Sequence, residues 1–212
     1  MLHKNPKIIA PKTFELIQQL QSLEFLNNFY LVGGTSLALQ FGHRNSIDID
    51  LFSQSDFLAE ELKEALEKKF IFTATLFKNN TVLSNINNVK TDFIRHNYPL
   101  ILPPIEEEGI RFLSKEDISA MKLHAIIQSG KRLKDFIDIY FLLEYFTLSQ
   151  MVEFFTQKYS YASPMIAIRA VNFFNDIDES IDPPQLLKPL KVSQIRNRIR
   201  EATQKSNKIF KT

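Results

Sequence analysis

The chain has 212 residues, 44% of them hydrophobic and 12% aromatic, which is enough apolar material for a folded core and excludes a disordered chain. It has no cysteine, which excludes a disulfide framework, a zinc site with cysteine ligands and a catalytic cysteine. The amino terminus lacks the apolar core of a signal peptide and no window approaches the roughly 18 apolar residues of a membrane span, so we expect a soluble, cytoplasmic protein that does not bind membranes.

Charge is unevenly distributed along the chain. The net charge is +2, yet residues 188–212 carry eight basic residues against Glu201 alone, a local charge of +7 that leaves −5 on the preceding residues. A basic tail on an acidic body is typical of a solvated amphipathic helix or of a strip that faces RNA and binds it less tightly as salt rises. The pattern leaves both alternatives open.

The amino-terminal half alternates between helical and strand patterns. Apolar residues at intervals of three predict a helix over 13–26, and a short apolar run ending at Gly33-Gly34 predicts a strand followed by a short helix. Strict alternation predicts a half-buried strand over 46–52, with Asp48 and Asp50 on its polar side. Helical spacing then returns over 56–70.

A mixed sheet and a helical region follow. Three β-rich runs cover 71–77, 81–86 and 89–95, and Asn87-Asn88 suits a two-residue hairpin turn between the last two. The acidic triplet before Gly109 predicts an exposed connection, so we place a domain boundary near Leu113, with an α/β domain over 1–113 and a helical domain over 114–212. The helices predicted in the second domain cover 114–128, 134–146, 149–159, 163–175 and 192–207.

The first candidate site is the turn at Gly33-Gly34. Two glycines between a strand and a helix let the backbone approach a ligand closely, and the N–H groups of the first helical turn suit a phosphate. Thr35 and Ser36 add two hydroxyl donors. Taken alone, the two glycines are equally consistent with an ordinary turn.

Three carboxylates form the second candidate site. Asp48 and Asp50 are two residues apart on one predicted strand, with Cα atoms roughly 6.5 to 7 Å apart, and a divalent cation is the simplest way to neutralise them. Oxygen ligands beside phosphates favour Mg²⁺, and Asp92, in the middle of a later strand, is the candidate for a third ligand. The alternatives are a solvated strand face for the pair and an ion pair with Lys90 for Asp92.

These residues together resemble a known family. Gly33-Gly-Thr-Ser-Leu-Ala-Leu39, Arg44-x-Ser-x-Asp-x-Asp-Leu-Phe52 and a later strand aspartate resemble the signature of the nucleotidyltransferase superfamily, which includes DNA polymerase β. With Lys122-Leu-His-Ala125 and Lys134-Asp-Phe-Ile-Asp-Ile-Tyr140, the pattern resembles more narrowly the AbiEii/AbiGii family of nucleotidyltransferase toxins over about residues 29 to 146.

The resemblance implies a nucleotidyltransferase fold, in which a mixed β-sheet is flanked by helices and followed by a C-terminal helical bundle. It implies transfer of NMP from an NTP to an acceptor hydroxyl, with two Mg²⁺ ions and release of pyrophosphate. It also implies the toxin of a bacterial toxin–antitoxin or abortive-infection system, with RNA such as tRNA as acceptor and a cognate antitoxin as partner.

The resemblance also assigns roles to individual residues. Asp48, Asp50 and Asp92 would hold the metal, Lys122 would meet a triphosphate oxygen, and Asp138 matches the acidic residue of the last motif, with Asp135 a less certain companion. Whether solvent or one of these last two aspartates accepts the hydroxyl proton stays open. The residues assigned to NTP binding are Gly33, Gly34, Thr35, Ser36, Arg44, Ser46 and Lys122.

Each assignment has a plainer alternative. Ser46 would only orient Asp48, Lys122 would be an exposed helix residue, and Asp138, in an apolar segment, would belong to a buried structural ion pair. Two other classes of function also remain: a nucleotidyltransferase that modifies a small molecule or a protein, and a non-catalytic binding module whose acidic cluster serves a basic partner.

Overall fold

A computed structural model describes residues 1–181 and 183–211, and the chain folds into two compact units. The α/β unit comprises Met1–Tyr98 and Pro104–Leu113. The helical unit comprises Pro99–Pro103 and Ser114–Thr212. The chain therefore leaves the α/β unit at Pro99, returns to it at Pro104 and leaves it again at Ser114.

One mixed sheet organises the α/β unit. Its strands are β1 (Tyr30–Leu31), β2 (Ile49–Ser53), β3 (Phe72–Lys78), β4 (Thr81–Ile86), β5 (Val89–Arg95), β6 (Ile105–Glu107) and β7 (Ile110–Phe112). Their order in the sheet is β3-β4-β5-β2-β1-β7-β6, with parallel pairing between β2 and β5 and between β1 and β7, and antiparallel pairing elsewhere. This confirms the predicted α/β fold with a mixed sheet.

The helices of this unit are α1 (Pro11–Gln21), α2 (Gly33–Phe41) and α3 (Ala59–Glu67), with a short 3-10 helix at Glu24–Leu26. The predicted helix over 13–26 is therefore shorter at its carboxyl end, where the chain tightens into the 3-10 turn. The apolar face of α1, including Ile17 and Leu20, is buried in the same core as Leu31 and Phe93 of the sheet. Burial of this face is what holds α1 in place.

Three hairpin turns have left-handed residues. In the first, Asn80 has a φ of 59° between Lys78 and Thr81, which are register partners. Asn87 and Asn88 have φ values of 50° and 64°, and Ile86 pairs with Val89, which confirms the predicted two-residue turn. The connection predicted at 106–109 is largely exposed, as expected, but it forms a third hairpin: β6 pairs with β7 and the chain turns at Glu108 and Gly109, with φ values of 54° and 76°. Both strands have only three residues and β6 lies at the sheet edge, where acidic side chains are tolerated.

The strand predicted over 46–52 begins later than its alternation suggests. Ser46 is buried and its N–H donates to Ile8 O at 2.8 Å, while Ile47 is 57% exposed, so the two residues reverse the predicted faces. Regular pairing with β5 starts only at Ile49. Asp48 therefore lies just before β2, and Asp50 lies within it.

The helical unit contains α4 (Lys115–Gln128), α5 (Leu133–Leu142), α6 (Leu148–Lys158), α7 (Pro164–Asn172) and α8 (Val192–Gln204). Ser114 caps α4, since its Oγ accepts the N–H of Asp117 at 3.0 Å. The predicted helices 134–146 and 192–207 both extend too far at their carboxyl ends. Across residues 1–181 and 183–211, no helix combines the length and apolar character that crossing a membrane requires.

A buried ion pair ties the start of α4 to the segment Pro99–Pro103. Lys158 Nζ lies 2.7 Å from Asp117 Oδ1 and donates to Pro99 O at 3.0 Å. The same carboxylate accepts the N–H groups of Ile101 and Leu102 at 3.1 and 3.3 Å. Both charged side chains are fully buried, so these hydrogen bonds are the condition for keeping them inside the unit.

Candidate active site

Parallel pairing of β2 and β5 brings two of the predicted acidic residues together. Asp50 on β2 is the register partner of Asp92 on β5. Register partners on adjacent strands project from the same face, with backbones about 4.8 Å apart. Asp48 lies two residues before Asp50 and is also half-buried.

Asp92 is the most enclosed of the three carboxylates. Its residue is only 7% exposed, and burial raises its pKa more than neighbouring Lys90 lowers it. Its Oδ2 lies 3.4 Å from Lys90 Nζ, while its buried Oδ1 has no hydrogen-bond partner among the described residues. The ion pair with Lys90 is the alternative that the sequence offered, but the orphaned oxygen shows that this pair satisfies only half of the carboxylate.

Gly33 lets the Asp50 carboxylate lie against the backbone at the start of α2. A Cβ atom at this position would come within 2.7 Å of Asp50 Oδ2. Gly33 also has a φ of +67°, a left-handed backbone conformation that is unfavourable for residues other than glycine. The glycine turn and the acidic pair therefore form one structural feature.

Gly34 serves Arg44 in the same way. A Cβ atom on Gly34 would lie 2.2 Å from Arg44 Nη2, so the guanidinium group packs directly on the first turn of α2. Arg44 is buried, and its Nη1 donates to Asn45 O at 2.8 Å. The arginine predicted to meet phosphate thus lies beside the helix terminus that is predicted to do the same.

A chain of hydroxyl groups holds the segment before β2. Thr35 Oγ1 donates to the Asp48 carbonyl oxygen and lies 2.7 Å from Ser46 Oγ. Because threonine has a single hydroxyl proton, Ser46 is the donor in the second bond. The hydroxyl of Ser36 is also buried and accepts from Gln40 Nε2 at 3.0 Å. These three hydroxyls, predicted to bind NTP, are therefore engaged in positioning Asp48 and the α2 turn.

The acidic residues have the chemistry of a divalent-cation site, although no complete site is assembled. Within residues 1–181 and 183–211, no group of three or more His, Cys, Asp or Glu side chains has the arrangement of a metal site. The orphaned Asp92 oxygen, the adjacent Asp50 and the oxygen-only donors nevertheless fit Mg²⁺, which completes its coordination with water and substrate oxygens. The assignment of Asp48, Asp50 and Asp92 to metal stays a prediction.

The other predicted residues form a separate cluster inside the helical unit. Lys122 Nζ on α4 lies 2.8 Å from Asp135 Oδ1 and 2.7 Å from Asp138 Oδ2, both on α5. All three side chains are buried. Lys122 is therefore not the exposed helix residue that the plainer alternative describes, and Asp138 has the buried ion-pair partner that its apolar segment demands.

Asp135 has a second cation that the sequence did not assign to it. Arg132 Nε lies 3.1 Å from Asp135 Oδ2, and the spacing of three residues along the helix is the signal that points to this pair. Burial alone would raise the pKa of Asp135, but Lys122 and Arg132 together hold it below its ordinary value. The carboxylate is therefore ionised near neutral pH and is a poor proton acceptor.

Comparison with known proteins identifies what this arrangement resembles. A family model described as the nucleotidyl transferase AbiEii toxin of a type IV toxin–antitoxin system matches residues 15–205. An uncharacterized protein of Aquifex aeolicus (strain VF5), aq_aa25, is 29% identical over 173 residues, which cover 79% of this chain and 84% of that protein.

Two solved bacterial proteins have a similar fold. One is MenT4, the nucleotidyltransferase toxin Rv2826c from Mycobacterium tuberculosis H37Rv, which matches with a TM-score of 0.63 at 16% sequence identity. The matched region covers 92% of this chain and 82% of the MenT4 chain. JHP933 from Helicobacter pylori has a TM-score of 0.53 at 17% identity and covers 92% and 89%. At this level of identity the similarity concerns the fold.

Substitution of Gly33 tests the close approach of Asp50. Gly33→Ala should lower the free energy of unfolding in urea by about 1–3 kcal/mol more than Gly109→Ala, since both have left-handed backbones but only Gly33 lacks room for a methyl group. Gly109 is the matched control because nothing lies within 4 Å of its added Cβ. Equal losses in the two variants would contradict the close approach.

Substitution of Lys122 tests the buried cluster. Lys122→Met should lower the free energy of unfolding by about 3–5 kcal/mol, because it leaves Asp135 and Asp138 buried with less compensating charge. The exposed Lys131, replaced by methionine, is the control and should change the free energy by no more than about 0.5 kcal/mol. A loss below about 1 kcal/mol for Lys122→Met would show that these ion pairs do not hold the helices together.

Proposed function

Because the chain belongs to the AbiEii family of nucleotidyl transferase toxins, we propose that it transfers the NMP group of an NTP to an acceptor hydroxyl with the help of Mg²⁺. Family membership makes the chain a nucleotidyltransferase. This favours a catalytic role for the acidic cluster over the non-catalytic binding module. The observation that carries the metal-dependent reaction is the register pairing of Asp50 with Asp92 beside Gly33.

In the proposed reaction, the acceptor oxygen attacks the α-phosphorus of the NTP. A new P–O bond forms to the acceptor, the bond to the β-phosphate oxygen breaks, and pyrophosphate leaves. The hydroxyl proton passes to solvent or to Asp138; the latter is the weaker choice, because Asp138 is fully buried and paired with Lys122. When bound, Mg²⁺ would neutralise the charge that develops on the triphosphate.

The α/β unit supplies the groups that would hold the reactants. Asp48, Asp50 and Asp92 would be the ligands of the metal, and the buried hydroxyl chain from Ser46 through Thr35 fixes the backbone of Asp48. The α2 terminus at Gly33 and Gly34 offers N–H groups to the triphosphate.

One cation of the α/β unit would add to this phosphate site. Arg44, packed on the same turn of α2, would add a bidentate donor for phosphate oxygens. Lys122, in the helical unit, is assigned to the triphosphate by the resemblance of its motif. Ser36 stabilises α2 through the hydrogen bond that its Oγ accepts from Gln40 Nε2.

We further propose that the acceptor is RNA, such as tRNA, and that the chain acts in the cytoplasm alongside a cognate antitoxin. The family's place in type IV toxin–antitoxin systems supports the partner. The basic residues after 187 support a polyanionic acceptor, although Arg198 is already engaged with Glu144 at 2.8 Å. A small-molecule or protein acceptor is the second candidate, and the labelling experiment below separates them.

The metal ligands can be tested without disturbing the fold. Asp92→Asn and Asp50→Asn should each reduce Mg²⁺-dependent incorporation of labelled NTP by at least about a hundredfold. Because burial already disfavours the charged form of Asp92, its asparagine variant should unfold at a temperature close to that of wild type. Glu106→Gln, an exposed acidic residue of β6, is the control for loss of one negative charge. Full activity of Asp92→Asn would refute the metal assignment.

The acceptor can be identified by following the label. Wild-type protein, offered each of the four labelled NTPs with total cellular RNA, should label an RNA band that ribonuclease removes and Asp48→Ala does not produce. Label in a protein or in a small molecule, without label in RNA, would show that the acceptor is not RNA. Induced expression should also arrest growth, and Asp50→Ala should relieve the arrest; unaffected growth with the wild-type chain would count against a toxin.

A further inference from the structure

Lys90 lies on the same face of the sheet as the three carboxylates. It precedes Asp92 by two residues on β5, so both side chains leave the strand on one side. Ile49 is the register partner of Thr91, which places Lys90 level with Asp48 when the β2–β5 pairing is extended by one residue. Lys90 and the acidic residues therefore form two adjacent rungs, one with Asp48 and Lys90, the other with Asp50 and Asp92.

The charges on these rungs are unequal. The three carboxylates face a lysine whose ammonium group is 3.4 Å from Asp92 Oδ2. Partial burial would lower the pKa of Lys90, yet Asp92, Asp48 and Asp50 together raise it, so all three carboxylates lie within electrostatic reach of this one cation. The ammonium group does not satisfy Asp92 completely, because Oδ1 of this residue has no hydrogen-bond partner among the described residues.

Lys90 differs from Lys122, which contacts two acidic groups. Lys122 is enclosed, with 7% of its side chain exposed, whereas 56% of the Lys90 side chain is exposed. A lysine stem has four rotatable carbons, so an exposed ammonium group can swing into solvent without any change in the backbone. The contact with Asp92 is therefore exchangeable, and the contacts of Lys122 are fixed.

We propose that Lys90 is a tethered counter-ion, which partly neutralises the acidic cluster through Asp92 in the metal-free protein and is displaced when a divalent cation binds. The inference rests on the proposed function, because it takes Asp48, Asp50 and Asp92 to be the ligands of that cation. Two cations that share Asp92 repel each other, so Lys90 competes with the metal. Lys90 therefore sets the concentration of metal that is needed to fill the site.

Metal binding without nucleotide tests the proposal directly. Mn²⁺ binding would be measured by electron paramagnetic resonance for wild type, Lys90→Met and Lys90→Arg, with Lys78→Met as the control. Lys78 lies on edge strand β3, and its replacement changes the net charge by the same amount. We expect Lys90→Met to bind Mn²⁺ about thirtyfold more tightly, which corresponds to removal of one unit charge at about 4 Å from a divalent ion in water. Lys90→Arg, which keeps the charge, should bind like wild type.

Thermal unfolding provides a second readout. Without metal, Lys90→Met should unfold at a lower temperature than wild type, because its carboxylates have lost their counter-ion, and Mn²⁺ should raise its unfolding temperature by more than it raises that of wild type. Unchanged or weaker Mn²⁺ binding in Lys90→Met, or an equal gain in Lys78→Met, would overturn the proposal.

The same experiment separates failure of this inference from failure of the proposed metal site. If wild type binds Mn²⁺, Asp92→Asn does not, and Lys90→Met equals wild type, then the site stands and the role of Lys90 is wrong. If neither wild type nor Lys90→Met binds Mn²⁺, the metal assignment is wrong and the role of Lys90 falls with it. Binding by Lys90→Met alone would support both.

Discussion

The site depends on the register between β2 and β5. A strand has two faces, and a slip of one residue would turn Asp92 to the side opposite Asp50. The other face prevents that slip, since Leu51 pairs with Phe93 and both are buried in the core. Hydrophobic packing on one side of the sheet thus sets the alignment of the carboxylates on the other side.

The chain handles buried and exposed acidic groups by two different means. In the helical unit, Asp135 and Asp138 are enclosed with Lys122, and removing the lysine charge leaves them buried with less compensation. In the α/β unit, the acidic cluster is open on the side of Lys90 and keeps an oxygen of Asp92 unsatisfied. The first arrangement is typical of a structural element, and the second leaves room for a ligand to complete what the protein does not.

Local patterns predicted most of the fold, and tertiary contacts account for what they missed. Asn87-Asn88 between two alternating runs contains its own turn geometry, so its hairpin was visible in the sequence. The hairpin at Gly109 was not, because both of its strands have only three residues and two of the three in β6 are acidic. The faces of Ser46 and Ile47 were reversed because Ser46 is held by Ile8 and Thr35, two contacts that no alternation rule contains.

The candidate site divides along the same line. Glycines and aspartates that resemble a family motif could be placed from the sequence, and Asp50 and Asp92 are indeed paired. The sequence could not show that Gly33 and Gly34 accommodate two different side chains, Asp50 and Arg44, since these contacts depend on how α2 packs beside β2. The partner of Asp138 was also hidden, because Lys122 lies on another helix.

The short segment from Pro99 to Pro103 limits how this protein can be divided. Its backbone satisfies the buried carboxylate of Asp117 and the ammonium group of Lys158, although it precedes the last strands of the sheet in the chain. A fragment cut at Ser114 would strip the helical unit of the amide groups that make this ion pair tolerable. Each unit is consequently built from two separate stretches of the polypeptide, and a single cut does not separate them.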